Sequence, residues 1–118
     1  MVGGKRATST FVKEYVQPKN RDKVLDIGCG PADTIEYFPN VDYVGFDSNP
    51  AYIDLAKIRY KGRGHFFCES VNQATLEKFE PFDLVLAVGV LHHLDDNDSL
   101  SLLELAHKAL KKGGRLIT

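Results

Sequence analysis

The stretch Val24-Leu25-Asp26-Ile27-Gly28-Cys29-Gly30-Pro31-Ala32 contains the signals that decide the fold. Its first four residues form a short, mainly apolar run of the length that a buried parallel strand needs. Two glycines at alternate positions follow, and then Pro31, which is suited to the first turn of a helix. This order is typical of the first crossover of a doubly wound α/β sheet, where nucleotide-like cofactors bind. The alternative is a hairpin or linker turn that merely contains glycines.

The residues around the glycine turn indicate which cofactor it suits. Dinucleotide-binding proteins carry a third glycine where this chain has Asp33. Asp26 lies two residues before the first glycine, near the tip of the strand. A carboxylate there would repel a pyrophosphate, but it would attract a ligand that carries an ammonium group. We therefore favour such a ligand, and an NAD(P)-dependent reductase is the alternative.

Asp26-Ile27-Gly28-Cys29-Gly30 resembles motif I of the class I S-adenosylmethionine-dependent methyltransferases, a family with a Rossmann-like fold. The resemblance implies that the loop from Gly28 to Gly30 wraps the methionine end of S-adenosyl-L-methionine, with Cys29 offering its backbone. It extends over nearly the whole chain from Val24 onward. Complete members carry two further C-terminal strands, which we expect to be absent here.

A second resemblance lies in the apolar run at residues 82–88, which opens with Phe82-Asp83 and is similar to motif IV of the same family. Asp83 begins this strand and so lies at the wrong end of the sheet for catalysis. We expect it to pair with a backbone amide or a lysine. At the other end, the carbonyl groups of Ala87, Val88 and Gly89 could hold the ammonium group of the cofactor.

Asp47 follows the second apolar run, at residues 41–46, and lies 19 residues beyond Gly28. This spacing is close to the ~20 residues expected for an acid that binds a ribose. A carboxylate suits that position because it can accept hydrogen bonds from both ribose hydroxyls. We predict that Asp47, with Ser48 beside it, binds the ribose. Alternatively, Asp47 or Asn49 only caps the next helix.

Glu69 and Ser70 follow the third apolar run, at residues 65–68. The resemblance implies that an acid at this point receives the exocyclic amine of adenine, although Glu69 replaces the more usual aspartate. The alternative is a loop acid that faces solvent.

Two histidines and three acids lie beyond the fourth strand. His93 is our candidate general base, because a histidine beside the methyl donor could take a proton from the acceptor. The alternative is that His92 and His93 only pack under the loop or face solvent. Asp95, Asp96 and Asp98 resemble a metal cluster superficially, but acids ahead of a helix are typical N-terminal caps. We therefore predict no metal site.

Composition narrows the classes of function. The 118 residues carry 15 basic and 16 acidic side chains, a net charge of −1 that gives no electrostatic signal for nucleic acid. No apolar run approaches the ~20 residues of a membrane span and no signal peptide opens the chain, so we expect a cytoplasmic protein. If the sheet order is the usual one, a strand separates Cys29 from Cys68, and both are free thiols.

We predict one domain over residues 1–118, with a flexible tail at residues 1–7. It is a doubly wound, mostly parallel sheet of about five strands in the order 3-2-1-4-5, with helices on both faces. The exposed edge of the fifth strand predicts a homo-oligomer. Helices are expected between residue 9 and Pro18 and at residues 31–38, 50–61, 73–79 and 97–112, and the fifth strand at residues 115–118. The last helix should present Leu100, Leu103, Ala106 and Leu110 on one face.

The function predicted from these features is methyl transfer from S-adenosyl-L-methionine to a small-molecule acceptor. One alternative is a non-catalytic module or truncated fragment that binds the same cofactor without turnover. The other is the NAD(P)-dependent reductase.

Overall fold

Five parallel strands form a single sheet in the order β3-β2-β1-β4-β5 in the computed structural model, which describes residues 9–88, 90 and 94–118. This confirms the predicted doubly wound α/β fold and its strand order. The strands are β1 (Lys23–Ile27), β2 (Asp42–Phe46), β3 (Gly64–Phe67), β4 (Phe82–Leu86) and β5 (Leu110–Ile117). The predicted flexible tail lies outside the described residues.

Three α-helices connect the strands, each begun by a polar cap. They are α1 (Pro50–Arg59), α2 (Gln73–Leu76) and α3 (Asp96–Ala109). Asn49 caps α1 by accepting from the Ala51 amide at 3.0 Å, and Asn72 forms a capping box at α2. Asp95 caps α3, accepting from the Asp98 amide at 2.7 Å, which confirms the capping interpretation of this acidic stretch. None of the helices in the described part is long and apolar enough to span a bilayer.

The sheet is covered on both faces, because side chains alternate along each strand. Val24, Tyr43 and Leu84 pack on one face with α1, with a π-helical turn (Val12–Val16) and with a 3-10 helix (Asp33–Tyr37). Leu25, Val44 and Val85 pack on the other face, against α2 and α3. Asp26 belongs to the first face, where it is the buried charged residue among apolar neighbours.

Several helix predictions were wrong in detail, and the helix expected at residues 73–79 is the single turn Gln73–Leu76. The helix expected at residues 31–38 is a 3-10 helix confined to Asp33–Tyr37, because Ala32 has a left-handed φ of 64° that breaks helical geometry after Pro31. The last helix ends at Ala109, not at residue 112. It buries Leu102 and leaves Leu100 60% exposed, so its buried face is rotated from the one predicted.

The fifth strand also differs from its prediction. It begins at Leu110, which pairs with Phe82, but its regular pairing with β4 starts only at Arg115. The residues between form an irregular excursion in which Gly113 adopts a positive φ of 82°. Regular pairing therefore occupies nearly the stretch that was predicted.

Asp83 contacts a backbone amide and a lysine of the neighbouring strands, as expected. Its Oδ2 accepts a hydrogen bond from the Lys23 amide at 2.8 Å, and Oδ1 lies 3.3 Å from the Lys111 ammonium. The hydrogen bond from the Lys23 amide, together with the Lys111 charge, lowers the pKa of Asp83 despite its partial burial. Asp83 is thus a structural residue at the edge opposite the candidate site.

Candidate functional site

The carboxyl ends of the parallel strands meet at one edge of the sheet, where a cleft of about 1120 Å³ opens. In open α/β sheets this edge is where ligands bind. Six of the residues predicted to bind a cofactor line the cleft: Gly28, Asp47, Ser48, Glu69, Ser70 and Val88. The predicted residues Asp26, Cys29 and Gly30 are not among the residues that line it. The sheet therefore brings the strand tips together as expected.

The glycine turn curls over the end of β2. The amides of Gly28 and Cys29 both donate to the Phe46 carbonyl, at 2.8 and 3.0 Å. Gly28 and Gly30 have φ values of 74° and 57°, a region that L side chains rarely adopt. A Cβ at Gly28 would also lie 3.3 Å from the Val90 side chain. The backbone path of the turn therefore favours glycine at both positions.

Asp47 connects the glycine turn to the start of α1. Its Oδ2 accepts from the Gly30 amide at 2.9 Å, and its Oδ1 accepts from the Asn49 amide at 2.9 Å. Because Asn49 supplies the cap of α1, Asp47 is not needed for that task. Each carboxylate oxygen has a second lone pair, so the group can still accept hydrogen bonds from a ligand in the cleft.

Asp26 lies beneath the turn, 7% exposed, and accepts a 2.6 Å hydrogen bond from the Tyr43 hydroxyl. Burial and, to a smaller extent, the charge of Asp47 raise the pKa of Asp26 to about 6, although the Tyr43 and Thr34 hydroxyls act in the opposite direction. The Thr34 hydroxyl is itself buried, and its geometry falls short of a hydrogen bond. Asp26 is therefore a carboxyl group whose charge changes near neutral pH.

Tyr43 was missed by the sequence reasoning. It is the second residue of β2, two residues before Gly45, which is the residue paired with Asp26 across the strands. An aromatic residue with a polar atom in an otherwise apolar strand is a signal that a partner is needed for the hydroxyl. Only the register between β1 and β2 shows that this partner is Asp26.

Cys29 packs onto β2 behind the turn. A Cβ on Gly45 would lie 2.8 Å from the Cys29 sulfur, so Gly45 leaves the space that this thiol fills. Burial raises the pKa of the Cys29 thiol well above its ordinary value, which keeps it neutral and unreactive. Cys29 and Cys68 are both free thiols, as predicted.

One wall of the cleft comes from α3, which the sequence reasoning did not place there. The cleft is lined by Asp98, Ser101, Glu104, Leu105 and Lys108 of this helix. Among the described lining residues, four side chains are carboxylates (Asp47, Glu69, Asp98, Glu104) and one is an ammonium (Lys108). The described residues form no cluster of three or more metal-ligating side chains. Gly89, His92 and the predicted base His93 lie outside the described residues.

Comparisons with known proteins agree with this geometry. A family model described as a methyltransferase domain matches residues 25–116. The chain is 32% identical over 100 residues to a ubiquinone biosynthesis O-methyltransferase from a Bradyrhizobium species, covering 80% of this chain and 38% of that protein. It is 27% identical over 109 residues to the probable tRNA methyltransferase 9B of Homo sapiens, covering 90% of this chain and 23% of that protein.

Solved structures show the same fold at low identity. The cyclopropane synthase MmaA2 from Mycobacterium tuberculosis superposes with a TM-score of 0.77 at 20% identity, over 95% of this chain and 41% of that one. The N-methyltransferase NodS from Bradyrhizobium japonicum, solved with S-adenosyl-L-homocysteine, gives 0.75 at 21% identity, over 95% and 59%. The chain spans less than half the length of the two curated relatives named above. Since the family model covers most of its residues, the chain belongs to the methyltransferase-domain family.

Proposed function

We propose that this domain binds S-adenosyl-L-methionine at the carboxyl edge of the sheet and transfers its methyl group to a small-molecule acceptor. The observation that carries the proposal is Asp47, whose carboxylate lies in the cleft and is held by the Gly30 amide of the glycine turn. The bound cofactor would supply a methyl group on a sulfonium, which is already a good leaving group. The protein then has to bind, orient and exclude water.

We assign the parts of this cofactor to residues of the cleft and of the glycine turn. Asp26, the turn from Gly28 through Cys29 to Gly30, and the Val88 carbonyl are assigned to the methionine end. Asp47 and Ser48 are assigned to the ribose, and Glu69 and Ser70 to adenine. The positive φ of Gly28 and Gly30 lets backbone approach the ligand closely, where a side chain would hold it away. Apolar side chains of Ile27, Phe46, Val71 and Val90 also line the cleft and suit the faces of a base.

A small-molecule acceptor is supported by the charge of the cleft. Its described lining carries four carboxylates and one ammonium, a balance that would repel the phosphate backbone of RNA. The whole chain has a net charge of −1, which gives no electrostatic signal for nucleic-acid binding. The names of the two relatives indicate different acceptors, since one refers to ubiquinone biosynthesis and the other to tRNA.

We also propose that His93 is the general base. We further propose a cytoplasmic location, which the free thiols support.

The first test is a thermal-shift titration with S-adenosyl-L-homocysteine and, in parallel, with NAD(H). A ligand that binds only the native state raises the melting temperature, and we expect a rise with S-adenosyl-L-homocysteine alone. A rise with NAD(H) alone would support the reductase instead. Methyl transfer to a panel of small phenols, amines and tRNA then separates an enzyme from a non-catalytic binding module.

We propose in addition that the domain self-associates through β5. This strand pairs with β4 on one side and lies at the edge of the sheet, with Leu116 and Ile117 only partly buried. Unpaired backbone groups beside apolar side chains favour strand pairing with a second copy. Sedimentation velocity at micromolar concentration should show dimers. A monomer throughout the concentration range would contradict this proposal and leave the cofactor site untouched.

A further inference from the structure

We propose that Tyr43 is a positioning residue for the cofactor site, whose hydroxyl holds the Asp26 carboxylate beneath the glycine turn and keeps it ionised for the ammonium group of the cofactor. The inference rests on the proposed function, because it takes Asp26 as the partner of that ammonium group. Tyr43 itself lies behind the cleft and would act only through Asp26.

The position of the Tyr43 ring is set by packing on all sides. The side chain is fully buried, and its ring lies 6.0 Å from that of Phe38 and 5.9 Å from that of Phe66, measured between centroids. A Cβ on Gly45 or on Gly64 would approach the ring to 3.0 Å, so both glycines leave room for it. A ring held in this way places its hydroxyl at one point, which is 2.6 Å from Asp26 Oδ2.

The hydrogen bond leaves part of the carboxyl group for a ligand. Tyr43 occupies Oδ2, and no described residue donates to Oδ1 within hydrogen-bonding distance. Asp26 is two residues before Gly28, at the base of the turn that is proposed to wrap the methionine end. The hydroxyl thus orients the carboxyl group under the turn.

The groups around Asp26 decide its charge together. They are the Tyr43 hydroxyl on β2, the Thr34 hydroxyl on the 3-10 helix, the Asp47 carboxylate after β2 and the Cys29 thiol in the turn. Burial dominates and raises the pKa of Asp26 to about 6, while the Tyr43 hydroxyl is the strongest influence that lowers it. Without this hydroxyl the pKa would rise further, and a larger fraction of Asp26 would be protonated at pH 7.

The consequence is a pH dependence of cofactor binding that this hydrogen bond shifts. A protonated Asp26 has lost its attraction for an ammonium group, so cofactor affinity should increase as the pH rises through the pKa of Asp26. Removing the Tyr43 hydroxyl should move this increase to higher pH without displacing the ring. A purely structural role for Tyr43 would change affinity equally at every pH.

The experiment measures the dissociation constant of S-adenosyl-L-homocysteine by calorimetry from about pH 5 to pH 9 for the full chain and three variants. Tyr43→Phe should bind roughly two- to tenfold more weakly than the unsubstituted protein at pH 7, with the difference closing at high pH. Asp26→Asn should bind weakly at every pH and lose the pH step. Tyr60→Phe is the matched control, because the Tyr60 hydroxyl also donates to carboxylates, those of Asp33 and Glu36, but away from the cleft.

The outcomes separate this inference from the proposed function. If the unsubstituted protein does not bind S-adenosyl-L-homocysteine, the proposed function is wrong. If it binds and Tyr43→Phe keeps the same pH profile, the inference about Tyr43 is overturned and the proposed function stands. Should Tyr43→Phe fail to fold, Asp26→Asn decides, because retention of the pH step in that variant excludes any role for Asp26 or its partner.

Discussion

Replacing Asp47 with alanine is expected to weaken binding of S-adenosyl-L-homocysteine on the order of 100-fold, because two charge-assisted hydrogen bonds to the ribose would be lost. The substitution also leaves the Gly30 amide without its 2.9 Å acceptor and so loosens the glycine turn. Calorimetry and the ligand-induced thermal shift both measure the effect. We expect the shift to be almost abolished.

Two further variants show which property of Asp47 matters. Asp42→Ala removes an exposed carboxylate at the opposite end of β2 and should bind as the unsubstituted protein does. Asp47→Asn keeps an acceptor for the Gly30 amide but loses the charge. Its affinity for S-adenosyl-L-homocysteine should therefore fall between those of Asp42→Ala and Asp47→Ala. If Asp47→Ala retains the full thermal shift, the assignment of the ribose to Asp47 is wrong.

The Asp26→Asn variant should be more stable than the unsubstituted protein at neutral pH, although it binds the cofactor less well. The pKa of Asp26 is raised from 3.8 to about 6, so the folded state holds the proton more tightly than the unfolded state does. Stability therefore falls as the pH rises through this window, and above it the buried charge costs about 3 kcal/mol. Asparagine removes this cost and can still accept from the Tyr43 hydroxyl.

Urea unfolding of the ligand-free protein at several pH values tests this expectation. The gain from Asp26→Asn should be small near pH 4 and grow toward pH 8, with a slope that follows the ionisation of Asp26. The Thr34 hydroxyl, buried and without a hydrogen bond, is available to accept one proton of the new amide. A variant that is less stable than the unsubstituted protein at pH 8 would contradict the raised pKa. The loss of affinity together with a gain in stability would mark Asp26 as a residue kept for function.

Some functional assignments concern residues beside short helices and helix starts, where the sequence pattern alone does not determine the role of a side chain. Glu69 follows β3 as predicted, but α2, which begins shortly after it, is only one turn long. The acidic stretch before α3 resembled a metal cluster in the sequence, yet Asp95 caps the helix and Asp98 lines the cleft. One-dimensional spacing cannot separate these roles, because a cap and a ligand both require an oxygen at the start of a helix.

The amino-acid sequence by itself determined the strands, their parallel order and the set of tips that form the cleft. These follow from local signals: short apolar runs, glycines where the turn needs positive φ, and a carboxylate about 20 residues further on. In a parallel sheet, strand tips meet at one edge whatever the side chains between them do. For that reason Gly28, Asp47, Glu69 and Val88 line one cleft as predicted.

Only the tertiary structure decided which side chains meet across elements. The hydrogen bond between Tyr43 and Asp26 depends on the register of β1 with β2, and the space for Cys29 depends on Gly45 in a neighbouring strand. The contribution of α3 to the wall of the cleft depends on the rotation of that helix about its axis. The spacing of its leucines in the sequence did not determine this rotation. These contacts are set by packing between residues distant in the chain, and hydrophobic periodicity carries no information about such partners.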